Sequence, residues 1–328
     1  MPHIPIALEP VDSVTITTLV DNYFDLLLTD QGPAKRLGLP TTETPRVAVA
    51  ALEEGQTPDN PLAEHGFSAM ISVNSGGREH RVLFDTGMSP DGLVENMRRL
   101  GHSPKDLEAI VLSHGHLDHT TGIDGLMRTV GRANLPVFLH PEAWSKRRLL
   151  LPGREPFELP TPSKSAIKGA GFEIIEERQP SFLLDGSLLI TGEVDRTTEF
   201  EKGMPVQQAW RNGEWRPDPL VLDDQAAIVN VRDKGLVVIT GCGHAGIVNI
   251  LRYARKLTGI KQVYAVLGGF HLGYPFEPII PLVCDALAQL DPQVIVPAHC
   301  TGWKAVHALA ARFPNAFIQN SVGTRFEL

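Results

Sequence analysis

Apolar residues recur along the chain with two periods. Short alternating or continuous runs predict strands, and apolar positions three and four apart predict helices. Residues 14–20 read as a first strand. The turn Asn74-Ser75-Gly76-Gly77 separates apolar runs at 67–73 and 81–84, which predicts a hairpin. Residues 91–100 have helical spacing, with Leu93, Val94, Met97 and Leu100 on one face. A short buried strand follows at 109–112, then a helix at 120–130 and a strand at 136–139. Residues 223–231 and 235–240 form a second hairpin around Asp233-Lys234-Gly235. Beyond it come a helix at 247–257, buried strands at 263–267 and 294–296 with a helix at 280–290 between them, and a last helix at 303–313.

Two stretches break this rhythm. Residues 30–66 are rich in Pro, Thr and Glu. Residues 145–220 hold a Pro-rich run and Trp210 and Trp215, and are irregular apart from a strand at 187–191. Long irregular segments in compact domains are usually lids, binding loops or insertions. The chain is therefore expected to be one domain, 1–328, with insertions near 30–66 and 145–220. The second insertion should cover the site, and its tryptophans either stack on a ligand or pack locally.

Composition narrows the function. The 328 residues are 42% hydrophobic and 21% charged, as in an ordinary globular protein. The net charge of −8 argues against nucleic-acid binding, which leaves a basic patch or stripe. No apolar run is long enough to span a membrane. Residues 1–10 lack a signal-peptide pattern. Three cysteines, Cys242, Cys284 and Cys300, make a poor disulfide framework, so a cytoplasmic location is expected. The oligomeric state is left open.

The chemistry concentrates at strand ends. The strand at 109–112 runs into Ser113-His114-Gly115-His116-Leu117-Asp118-His119. Imidazoles suit zinc, iron and related metals. In a tight loop, alternate residues turn His114 and His116 to one point, while Asp118 and His119 face an adjacent one, which suggests two metals. Later strands end in Gly241-Cys242-Gly243-His244, in Gly269-Phe270-His271 and in Pro297-Ala298-His299-Cys300. Each delivers a histidine to the side of a sheet where ligands gather. His3, His80, His102, His140 and His307 read as surface or packing residues.

The run H-x-H-x-D-H after a buried strand resembles the signature of the metallo-β-lactamase superfamily. Phe84-Asp85-Thr86-Gly87 is similar to its F-D-T-G turn, whose aspartate supports the histidine loop. The set G-C-x-H-x-G, G-G-F-H-L and P-x-H-C-T-G, with Leu19-Val20-Asp21-Asn22 and Glu64-His65-Gly66-Phe67-Ser68, resembles a narrower branch, the dihydropterin synthase-like proteins. The resemblance covers nearly the whole chain. It implies a four-layer αββα sandwich. It also implies one or two divalent transition ions, zinc first, with iron or manganese as alternatives. The implied ligands are His114, His116, Asp118, His119, His244 and His299. Asp118 doubles as a general base, and His271 is a proton donor or oxyanion stabiliser. Asn22 and His65 enter as substrate-binding residues on the likeness alone. So does the segment Gly192-Glu193-Val194-Asp195-Arg196, in which Arg196 would clamp an anion and Glu193 would approach the metal or orient a water.

One departure concerns the bridge between metals. Many two-metal members place an aspartate where this chain has Cys242. That cysteine is either a thiolate ligand or a packing residue, and packing is the preferred reading. Three functions follow from the resemblance. The first is hydrolysis of a small, anionic ester, lactone or phosphoester by a metal-activated water. The second is a synthase reaction joining a dihydropterin to an aminobenzene ribosyl phosphate. The third is iron-dependent redox chemistry or metal binding without catalysis.

Overall fold

Two large sheets face each other, and the alternation within single strands explains why. In strand Ala226–Val231, Ala227, Val229 and Val231 enter the core between the sheets, while Ala226 and Ile228 point outward into a helix-facing core. Val237 and Ile239 of strand Gly235–Thr240 repeat the pattern, with Leu236 and Val238 outward. A strand apolar on both faces must be covered on both. The computed structural model describes residues 5–131 and 134–328. His3 lies outside them.

The first sheet runs, in order, Glu173–Glu176, Pro136–Leu139, Ala109–Val111, Arg78–Phe84, Ser68–Ser75, Ser13–Val20, Arg325–Glu327 and Ala34–Lys35. Helices Gly92–Arg99, Ile123–Val130 and Lys164–Gly169 cover its outer face, where Leu93, Met97, Leu126 and Ile167 meet Met70, Leu83, Ile110 and Val137. The second sheet runs Ser181–Leu183, Leu188–Ile190, Ala226–Val231, Gly235–Thr240, Val263–Gly269 and Val294–Ala298, with Pro10–Val11 beside Ala226–Val231. Helices Ile247–Thr258, Ile280–Leu290 and Trp303–Arg312 cover it through Leu251, Leu287 and Leu309. Between the sheets, Ile16, Ile71, Phe84 and Val111 share one core with Val229, Ile239, Leu267 and Val296. The architecture is the expected four-layer αββα sandwich.

Most strands and helices lie within a residue or two of the pattern. The exceptions are informative. The helix expected over 120–130 is two helices, Leu117–Thr120 and Ile123–Val130. Residues 145–220, expected as irregular, build a four-stranded antiparallel sheet in the order Phe157–Leu159, Arg147–Leu149, Gln207–Arg211, Glu214–Pro217. They also lend edge strands to both large sheets. These strands are three to five residues long, too short to show a period. In 30–66, Arg46–Ala48 pairs with Gln56–Pro58 as an exposed hairpin. Among the described residues, no helix is long and apolar enough to cross a membrane.

Candidate metal centre

The histidine loop begins where strand Ala109–Val111 ends, and its shape is fixed by two aspartates. Asp85, at φ 59° in the turn after strand Arg78–Phe84, accepts from the Ser113 amide at 2.7 Å through Oδ1. Its Oδ2 accepts from Ser113 Oγ at 2.7 Å and faces His119 Nδ1 at 2.6 Å. Asp223 Oδ2 accepts from the Gly115 amide at 2.8 Å. Gly115 has no room for a side chain: a Cβ there would lie 2.1 Å from the Ala143 carbonyl oxygen. This close approach turns His114 and His116 inward together.

The surrounding hydrogen bonds assign the tautomers. Ser113 Oγ donates to Asp85, so it accepts from His114 Nδ1 at 2.9 Å, leaving His114 Nε2 as a lone pair. Gln207 donates through Nε2 to Asp218, so its Oε1 accepts from His116 Nε2 at 2.7 Å, leaving His116 Nδ1 as a lone pair. These two lone-pair nitrogens face each other at 3.0 Å, and His244 Nε2 stands 3.2 Å from His116 Nδ1. Nitrogens bound tetrahedrally to zinc at about 2.0–2.1 Å lie about 3.3 Å apart. The two facing lone pairs repel each other unless a cation sits between them, and His244 offers a third nitrogen to the same point, so this donor set fits a metal.

A second group lies beside the first. Asp118, His119, Cys242 and His299 offer donor atoms within 4.8 Å of one another, as do His114, His116 and His244. His119 Nδ1 is committed to Asp85, which turns Nε2 toward Cys242 Sγ at 3.1 Å. His299 Nδ1 faces Asn22 Oδ1 at 3.1 Å, and its Nε2 faces Asp118 Oδ2 at 3.1 Å. The His299 amide donates to Asp21 Oδ1 at 2.7 Å. His271 and His299 hold left-handed backbone, at φ 45° and 47°. Such strain in non-glycine residues concentrates at functional sites. Cys242 also reaches His244 and His271 in a third overlapping group. Its thiol therefore faces the donors and is not spent on packing alone.

Electrostatics keep the first group available as ligands. Burial holds His114 and His244 well below the ordinary imidazole range. Burial, aided by Arg147, brings His116 to about 4. All three are neutral at pH 7. His119 is pushed up to about 9, since Asp85 and Asp118 outweigh the opposing effect of burial. A metal cation would compete with that proton for Nε2. The Nδ1 atoms of His244 and His271 are buried without a hydrogen-bond partner.

Both groups open onto one cavity of about 500 Å³. Asn22 and His65 line it together with His116, Asp118, His244, His271 and His299. Asn22 Nδ2 lies 3.2 Å from His65 Nδ1, and His65 Nε2 stands 3.7 Å from Asp118 Oδ2. From residues 145–220 come Leu149, Phe157, Leu159 and Met204 on the facing wall.

A family model for the metallo-beta-lactamase superfamily matches residues 65–256. The chain belongs to the metallo-β-lactamase superfamily. Within it, the chain is 32% identical over 262 residues to a Methanocaldococcus jannaschii protein named 7,8-dihydropterin-6-methyl-4-(beta-D-ribofuranosyl)-aminobenzene-5'-phosphate synthase. That match covers 78% of this chain and 87% of the relative. The fold is similar to that of Tm1679, described as a metal-dependent hydrolase of the beta-lactamase superfamily. There the TM-score is 0.70 and the identity 26%, covering 96% of this chain and 99% of the other. YhfI from Bacillus subtilis shares the fold at TM-score 0.50 and 13% identity, over 97% of this chain and 100% of that one. The chain is an enzyme of this superfamily, and its clustered His, Asp and Cys donors suit a divalent metal.

Two residues expected at the substrate stand elsewhere. Arg196 does not line the cavity: its Nη1 donates to the His244 carbonyl at 3.0 Å and its Nη2 to the Leu220 carbonyl. It braces the loop that carries His244 from behind. Glu193 is taken up by His140 Nε2 at 3.0 Å and Arg178 Nη1 at 2.9 Å. Trp210 and Trp215 pair with each other across two strands, 5.2 Å between ring centroids, and neither lines the cavity. In exchange, the structure adds supports that the sequence reading missed. Arg147, buried, binds Asp223 and Asp218, and Gln207 joins Asp218 to His116. Glu201 accepts from the Val248 and Asn249 amides at 2.9 Å each, at the start of helix Ile247–Thr258, where a carboxylate suits the helix dipole. Apart from Gln207 and Asp218, 11 residues apart, these partners lie 47 or more residues apart, beyond the reach of any local pattern.

Proposed function

We propose that the chain hydrolyses a small ester, lactone or phosphoester at a centre of one or two divalent ions, zinc first. His114, His116 and His244 would hold one ion. Asp118, His119, Cys242 and His299 would hold a second. The observation that carries this reading is the pair of donor groups side by side on the floor of one cavity, with lone pairs facing inward. A mixed imidazole, carboxylate and thiolate set suits zinc better than a hard oxygen-loving ion. A bound divalent ion supplies Lewis acidity and a nucleophile at neutral pH.

The chain's own groups supply the rest. Asp118 takes a proton from the attacking water. His271, its Nδ1 buried and unpartnered beside His244, gives a proton to the leaving group or steadies developing charge. Asn22 orients His299 and His65 at the entrance, where both would meet the substrate. The wall from residues 145–220 would cover one side of the bound substrate. Any negative charge on the substrate lies at the reacting group, where cations meet it. The synthase chemistry in the relative's name needs a phosphate pocket as well. Among the described residues, no lysine or arginine lines this cavity, so hydrolysis is the better-supported reading. The core shared by both sheets supports one domain over 1–328, with 30–66 and 145–220 as insertions. Three free thiols support a cytoplasmic location.

The test is metal analysis of protein purified without added metal, with an ester, lactone and phosphoester screen. His116→Ala should lose the ion of the first group and hydrolytic activity together. Full metal occupancy in that variant refutes the ligand assignment.

A further inference from the structure

The cavity has two unlike sides. One carries the donor groups. The other is apolar: Leu149, Phe157, Leu159 and Met204 come from the added sheet and the chain beside it, and Met88 and Tyr274 stand at its edges. Phe157 is 55% exposed and Tyr274 80% exposed, so large apolar surface is left open beside the site. No lysine or arginine among the described residues lines the space, and the arginine nearest the His244 loop is turned onto backbone carbonyls. A phosphate or carboxylate on the far end of a substrate would lose water against Leu149 and Leu159 and gain no partner. An apolar group there would gain by leaving water.

We propose that the substrate is a carboxylic ester or lactone with an apolar body, an acyl chain or a ring, and no charged group remote from the bond cleaved. The apolar body lies against Leu149, Phe157, Leu159 and Met204, and the carbonyl end faces the donor groups. This rests on the hydrolytic reading of the site and narrows it. In the reaction, the oxygen of water bonds to the acyl carbon and the bond from that carbon to the alcohol oxygen breaks. One water proton passes to the alcohol, and the other leaves the carboxylic acid formed.

Two measurements on the metal-containing protein separate this inference from the hydrolytic reading. The first is calorimetric binding of acetate, butanoate, hexanoate and octanoate, which needs no turnover. The second is cleavage of the matching p-nitrophenyl esters and of bis(p-nitrophenyl) phosphate. Affinity and kcat/KM should both rise about fourfold for each methylene that enters the cavity. Phe157→Ser, on an exposed edge strand where folding is at little risk, should cut octanoate binding about tenfold and leave acetate within about twofold. Affinity that stays flat along the series overturns the inference, even where the esters are cleaved. Cleavage of the phosphodiester in preference to every ester overturns the ester assignment. Rising affinity without cleavage of any substrate overturns the hydrolytic reading and the ester assignment, while establishing the apolar subsite.

Discussion

Replacing Arg147 by Met tests whether the added sheet is fastened to the metal-binding loop through charge. The guanidinium donates to Asp218 Oδ2 at 3.0 Å through Nε, and to both oxygens of Asp223 through Nη1 and Nη2. All three side chains are nearly inaccessible, at 2%, 6% and 0% exposure. Met fills the volume and removes the charge, leaving buried Asp223 without a cationic partner and Asp218 with only Arg211, at 3.3 Å. Breaking such a pair from one side costs about 3–5 kcal/mol. With an unfolding entropy of about 2.1 cal/mol/K per residue, the chain's length gives about 0.7 kcal/mol/K, and the midpoint should fall by about 4–7 °C. The pH dependence gives a second signature. In the native chain, burial raises the Asp223 carboxyl, but Arg147 and the Gly115 amide outweigh it and hold it below the ordinary carboxylate range. A depressed carboxylate contributes stability above its unfolded pKa and loses it as pH falls through the folded pKa. Without Arg147, burial should raise Asp223 above its unfolded value. The variant's deficit should then be largest at pH 8 and shrink toward pH 5 as Asp223 takes up a proton. Calorimetry on metal-free protein keeps metal binding out of the comparison. A midpoint within about 1 °C of the parent, or a deficit that does not change with pH, would refute the reasoning.

Two further substitutions probe the support behind the donors. Asp85→Asn turns one acceptor into a donor facing Ser113 Oγ and His119 Nδ1, and should weaken metal binding about 10- to 100-fold in a chelator competition. Gly241→Ala puts a Cβ 2.0 Å from Ser113 Oγ and 2.6 Å from Asp85 Oδ2. It should cost about 1–3 kcal/mol in urea unfolding and lower metal affinity with it. Parental stability and affinity in this variant would show that the loop tolerates displacement.

The sequence by itself determined the layers and the floor of the site. Two-faced apolar strands such as Ala226–Val231 and one-faced helices such as Gly92–Arg99 leave few ways to pack, and the period is visible wherever an element is long enough to show it. The run His114 to His119 was legible because its residues are neighbours in the chain. His244, His271 and His299 were legible because each ends a readable strand. Apart from the strand at 187–191, residues 145–220 were not, since strands of three to five residues carry little period, and their added sheet forms only when partners from distant segments meet. Only the tertiary structure decided what surrounds the donors. It turned Cys242 Sγ toward His119, 123 positions away in sequence, and took Arg196 out of the cavity onto the carbonyls of His244 and Leu220. It also joined Arg147 to Asp223 across 76 positions. A motif specifies which side chain leaves which strand end. The direction it takes, and the partner it finds, depend on contacts between segments whose separation no local pattern encodes.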